Sequence, residues 1–240
     1  AKALPNGLVY LIATVDEGTL QTGDTVDVTV HQTRHLNLAR NHTATHLLQA
    51  ALRKILGNHV NQAGSLVTPD HLRFDFTHFS AMTPEEIKKV EALVNREIQA
   101  SLPVVTETMT LEEAKKTGAM ALFGEKYGDS VRVVEMGDFS TELCGGTHVA
   151  NTGDIAVFKI LSENGVAAGV RRIEAITGMG VFAYYKEVEE KLAEAARIVK
   201  ATPANLAEKL THLMAEVKQL SSENESLKSK AARESLGNVM

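Results

Sequence analysis

Asn41-His42-Thr43-Ala44-Thr45-His46-Leu47-Leu48 places two histidines four residues apart. On a helix, residues at i and i+4 share a face, so both imidazoles can reach one ion. Helix is what the surroundings predict. Leu38, Leu47, Leu48, Ala51, Leu52 and Ile55 form an apolar stripe, and Gly57-Asn58 supplies a stop, giving a helix over about 36–56 with His42 and His46 at the border of the core. Much later, Glu142-Leu143-Cys144-Gly145-Gly146-Thr147-His148 brings the single cysteine and another histidine four apart, across a Gly-Gly pair that disfavours helix. Three imidazoles and one thiolate form a set that zinc accepts readily. Among nine histidines an i,i+4 pair also arises by chance, so spacing alone leaves both readings standing.

Outward from the helix the chain reads as short strands and capped helices. His59–Val67 and His71–His78 are strand-like around Thr68-Pro69-Asp70, and the second run alternates Leu72, Phe74, Phe76 against Arg73, Asp75, Thr77. Arg73 and Asp75 then point the same way, as an exposed ion pair would also do. Thr83-Pro84-Glu85-Glu86 starts a helix with Ile87, Val90, Val94 and Ile98 buried. A strand at 104–110, a short helix at 111–117 and a strand at 131–134 lead into the cysteine loop. Paired strands follow at 154–160 and 170–176, with Asn164-Gly165 as the expected turn. The sum is an α+β domain with a mixed or antiparallel sheet over about 34–177.

On either side the pattern changes. Residues 1–33, with Leu8–Val15 and the alternating Thr25–Val30, read as a small β module. Residues 178–240 are helical. Val181, Tyr185, Val188 and Leu192, then Leu206, Leu210, Leu213, Val217, Leu220, Asn224 and Leu227 after a restart at Thr202-Pro203, step by three and four as in a coiled-coil seam that folds back or pairs with a second chain. Gly178-Met179-Gly180-Val181-Phe182-Ala183 fits a dinucleotide fingerprint, but no further strand follows; it reads as a strand-to-helix turn.

Composition excludes more than it selects. With a net charge of -5, a broadly basic nucleic-acid surface is not expected. A polyanion would meet local clusters such as His31–Arg40 or Arg171-Arg172, which read equally as solvated faces. No apolar run approaches the about 18 residues of a membrane span. One cysteine rules out an internal disulfide and fits a reducing, cytoplasmic compartment. The start at Ala1 suggests a piece of something longer.

Several segments together resemble the editing domain of alanyl-tRNA synthetases: Arg40–Leu48, Leu72–Phe76, Ala119–Tyr127, Phe139–His148 and Gly169–Glu174. The resemblance covers about 36–177. It makes residues 1–33 part of the family's β-barrel, and 178–240 the helical linker towards its dimer-forming C-terminal module. It implies removal of serine or glycine wrongly esterified to the alanine tRNA, with tRNA as partner and a homodimer as a further possibility. No aminoacylation is expected of this chain. The zinc ligands carry over as His42, His46, Cys144 and His148, and Gln62 falls where the family has a pocket glutamine. The amides of Gly145 and Gly146 are candidate oxyanion donors. Thr43 and Thr45 are candidates for the serine hydroxyl, or are helix-packing residues. Arg73, Asp75, Arg171 and Arg172 are candidates for the tRNA end. A threonyl-type editing domain fits less well because its second motif differs from Cys-Gly-Gly-Thr-His. A non-catalytic tRNA-binding and dimerisation fragment with a structural zinc, and a metallohydrolase of small esters, are the readings from other classes.

Overall fold

The computed structural model describes residues 2–3, 8–120 and 130–237. The chain forms two compact units, 1–32 and 33–240. In the first, β1 (Lys2–Ala3) and β2 (Val9–Tyr10) pair antiparallel. The expected strand at Thr25–Val30 joins no ladder among the described residues, and Val26, Val28 and Val30 are exposed. Alternation favours an extended chain, but a strand also needs a neighbouring edge to take its N–H and C=O groups.

The second unit opens with α1 (Gln32–Leu56), starting four residues earlier than its apolar stripe indicates. Gly57 ends it at φ +117°, a conformation that favours glycine. Next come β3 (Gln62–Val67) and β4 (Leu72–Thr77), then α2 (Pro84–Gln99). Thr83 and Glu86 close a capping box at the start of α2, as the sequence predicts. β5 (Val104–Thr110), α3 (Leu111–Lys116), β6 (Ser130–Met136) and β7 (Ser140–Leu143) follow. A 3-10 turn at Thr152–Ile155 precedes β8 (Phe158–Ala167) and β9 (Val170–Thr177). Part of the Ala119–Tyr127 motif, residues 121–127, lies outside the described residues.

Two antiparallel sheets result, in the orders β3-β4-β9-β8 and β5-β6-β7. The α+β reading holds. Leu72, Phe74 and Phe76 are fully buried and join Leu47, Leu48, Leu52, Val90, Val94, Ile98, Phe158 and Ile173 in the main core. That burial fixes α1 and α2 relative to the four-stranded sheet; each large apolar side chain contributes about 1.5–3 kcal/mol. A smaller cluster of Ala114, Val131, Val133 and Leu143 sits on the other sheet.

Asn41 ties α1 to the sheet. Its amide donates to the Thr68 carbonyl at 2.9 Å and its carbonyl accepts from the Thr177 hydroxyl at 2.7 Å, so this buried polar side chain is satisfied.

The β8–β9 turn differs from expectation. Asn164 and Gly165 lie inside β8, opposite Arg172 and Arg171, and the chain reverses at 168–169 with Gly169 at φ +70°. Gly165 serves close approach: a Cβ there would lie 2.8 Å from an Arg171 guanidinium nitrogen. Beyond Gly178 (φ +55°), α4 (Met179–Ile198) and α5 (Leu206–Gly237) make up the tail. Thr202 and Asn205 bond to each other, and α5 starts at Leu206 rather than at Pro203. Tyr185, Val188, Leu192, Leu210, Val217, Leu220 and Leu227 are exposed, so little of the seam is buried within the chain.

Candidate metal centre

His42 and His46 rise from adjacent turns of α1, while Cys144 and His148 come from the loop that leaves β7. One ligand atom from each of the four lies within 4.8 Å of the others. The two contacts to sulfur, 3.5 Å from His42 Nε2 and 3.4 Å from His148 Nε2, match the edge of a zinc tetrahedron with bonds of about 2.0–2.3 Å. The three imidazole centroids are 4.4–5.2 Å apart. The four side chains read from the sequence therefore converge.

Two ring orientations are fixed from outside the set. Glu142 Oε2 accepts from His46 Nδ1 at 2.5 Å, and the Ser140 hydroxyl donates to the other carboxylate oxygen at 3.2 Å. With Nδ1 protonated, His46 Nε2 points into the cluster. That atom is buried and has no hydrogen-bond partner, as suits an atom placed for a cation. The Thr43 hydroxyl donates to the Ala39 carbonyl at 2.8 Å, so its single proton is used. Its oxygen is then free to accept from His148 Nδ1 and from the Val149 amide, both at 3.2 Å. This protonates His148 on Nδ1 and leaves Nε2 as the donor towards a metal.

Electrostatics follow the same lines. Burial alone would lower the His46 imidazole, but the charge of Glu142, the bond that its carboxylate accepts from Nδ1, and the nearby Cys144 sulfur raise it from 6.5 to about 10. Burial would raise the Cys144 thiol, yet the imidazoles of His148, His42 and His46 gathered around the sulfur bring it down to about 3. The sulfur is thus a thiolate, the form that binds metal. Burial lowers His148, helped by repulsion from His46 and His42, which keeps its ring neutral.

The glycines of the loop have separate reasons. A Cβ on Gly146 would sit 2.0 Å from His42 Cε1, so this backbone packs flat against a ligand ring. The Gly146 amide points at Cys144 Sγ at 3.4 Å and its carbonyl accepts from the Arg132 guanidinium. A Cβ on Gly145 would meet nothing within 4 Å.

The other residues read from the sequence are spread out. Thr45 is buried and donates to the Asn41 carbonyl at 2.8 Å, which makes it a helix-packing residue. Gln62, on β3, bonds Ser65 at 3.4 Å. Arg172 makes two hydrogen bonds to Asp75, at 2.7 and 2.8 Å, and Arg73 Nε is 3.7 Å from the same carboxylate. Arg171 grips Glu163 in the same paired manner. The arginines read as phosphate ligands thus already meet carboxylates. Glu142 and Arg132 carried no role in the sequence reading. Glu142 stands two residues before Cys144, and alternation along β7 was the available signal that it shares a face with the thiol.

Relatives bear on this geometry. A family model described as threonyl and alanyl tRNA synthetase second additional domain matches residues 131–174, which include Cys144 and His148. Alanine–tRNA ligase 1 of Lachnoclostridium phytofermentans is 62% identical over 99% of this chain and 27% of its own length. The alanine–tRNA ligase of Pelotomaculum thermopropionicum is 54% identical over 93% of the chain, and that of Acetivibrio thermocellus 52% over 100%, covering 25% and 27% of those proteins. The chain thus spans about a quarter of the length of the curated relatives it matches.

Proposed function

We propose that this chain, which belongs to the alanine–tRNA ligase family as a segment carrying its editing-type domain, hydrolyses the ester of alanine tRNA mischarged with serine or glycine. Residues 34–177 form the deacylase in this reading, residues 1–33 belong to a preceding β-barrel, and 178–240 link to a dimerisation module. The observation that carries it is the meeting of His42, His46, Cys144 and His148, with His46 Nε2 left unpartnered.

These four residues would hold zinc, which can supply polarisation of the ester carbonyl, a water of lowered pKa, or an anchor for the amino group. The chain's own groups do the positioning. Glu142 and Thr43 hold two imidazoles with Nε2 inward, and Arg132 fixes the loop through the Gly146 carbonyl. The Gly146 amide faces the thiolate, so Gly145 is the better placed of the two glycines to give its amide to a developing oxyanion. Gln62, which the family resemblance makes the pocket glutamine, would select serine over alanine by leaving its bond to Ser65, since both threonine hydroxyls are engaged with α1 carbonyls; an alanyl ester would leave such a polar group unpaired. Arg171, Arg172 and Arg73 would reach phosphates only by exchanging or sharing their carboxylates.

Serine release from serine-charged alanine tRNA by the chain, before and after chelation, tests the proposal. Hydrolysis that falls with the metal and returns with added zinc is expected. A second reading, a structural zinc in a tRNA-binding fragment, is favoured by one feature: four protein ligands fill a tetrahedron. It requires tRNA binding with no serine release at any zinc level.

A further inference from the structure

A second cluster of rings lies away from the metal centre, beyond the end of α1. Phe74 and Phe76 are buried on β4, their planes 15° apart, and His78 continues the same alternation with its ring 29° from Phe76. The imidazoles of His78 and His59 are joined edge to edge by a 2.9 Å Nδ1···Nε2 hydrogen bond, with planes 23° apart. Phe79 follows, 21° from His59 with centroids 5.6 Å apart. His78, His59 and Phe79 thus run as a series of near-parallel rings continued from Phe76 on the core, and the last of them, Phe79, is 88% exposed.

A single exposed phenylalanine is unremarkable. An exposed ring stacked on one of two hydrogen-bonded imidazoles is different, because that neighbour favours its orientation before any partner arrives. A rigid π-face suits one kind of ligand above others: a flat unpaired base, which stacks without regard to sequence. A cation for a phosphate strand is at hand, since Arg53 in the last turn of α1 reaches the Val60 carbonyl beside His59; Lys54 in the same turn lies over the Phe139 ring. Leu56 is ten residues from His46, about 15 Å along the helix axis. That is a span of a few unpaired nucleotides.

We propose that the exposed face of Phe79, held by His59 and His78, is a stacking platform for one unpaired base of the tRNA's single-stranded 3′ end. The inference rests on the editing reading for its choice of nucleic acid. It adds a contact remote from the ester that would set how the strand enters the site.

The test uses the whole chain and an uncharged RNA hairpin with a single-stranded 3′ tail, carrying 2-aminopurine at each tail position in turn. Wild type and Phe79→Tyr should quench one position. Phe79→Ala and Phe79→Leu should lose the quench and raise Kd on the order of tenfold, while a blunt-ended stem binds all four proteins alike. No quenching at any position, or Ala and Leu variants that match wild type, overturns the platform. Because the probe carries no ester, the two ideas separate. Stacking without serine release would sink the editing reading alone, and serine release from tRNA indifferent to Phe79, with no quench, would sink the platform alone.

Discussion

Glu142 Oε2 and His46 Nδ1 stand 2.5 Å apart in the interior, a carboxylate from β7 holding an imidazole from α1. The bond fixes the tautomer that aims Nε2 at the other three ligand atoms. Glu142→Gln should lower zinc affinity about 10- to 100-fold, the usual cost of losing an outer partner of a ligating histidine. Competition with a chromophoric chelator measures it, and Thr43→Val should act in the same direction through His148. Unchanged affinity in both variants would mean that the rings need no outer support.

The two loop glycines should behave differently. Gly146→Ala drives a Cβ into His42, so both zinc content and serine release should fall. As an oxyanion donor alone Gly146 would matter to hydrolysis and not to the metal; the contact with His42 ties it to both. Gly145→Ala meets open space and should keep its zinc. Equal metal content in the two variants, by atomic emission, would contradict the packing.

Zinc binding should release a proton. His46, raised to about 10, carries a proton at neutral pH that a metal on Nε2 must displace, whereas Cys144, at about 3, has none left to give. Affinity should therefore climb about tenfold per pH unit above neutrality and level off near the His46 value. A pH-independent Kd across that window would show that His46 is not ligated in this way.

Asp75 gives an acid-side prediction. Hydrogen bonds from Arg172 hold its carboxyl below the usual 3.8, outweighing burial. A lowered folded-state value stabilises the fold above the unfolded value and ceases to do so as pH falls through the folded one. Asp75→Asn should lower Tm by several degrees at neutral pH, and the gap from wild type should close below about pH 4. A constant gap across pH would assign the loss to packing.

Much of this was legible in the sequence where a local rule had one outcome. Thr83-Pro84-Glu85-Glu86 could only start a helix, and Leu72, Phe74 and Phe76 could only face a core. The four ligands were legible jointly, because the lone cysteine has its histidine four residues on. Partnership was not legible. Asn164-Gly165 looks like a turn, yet glycine is needed there to admit the Arg171 side chain, and Gly169 makes the reversal. Thr25–Val30 alternates with no edge to join among the described residues. Glu142 reads as an ordinary strand residue until α1 brings His46 against it.

Zinc-edge X-ray absorption on the zinc-loaded chain tests the central geometry most directly. Three nitrogens near about 2.0–2.1 Å and one sulfur near about 2.3 Å are expected, with the sulfur shell lost in Cys144→Ser. A first shell with no sulfur, or one that Cys144→Ser leaves unchanged, would contradict it.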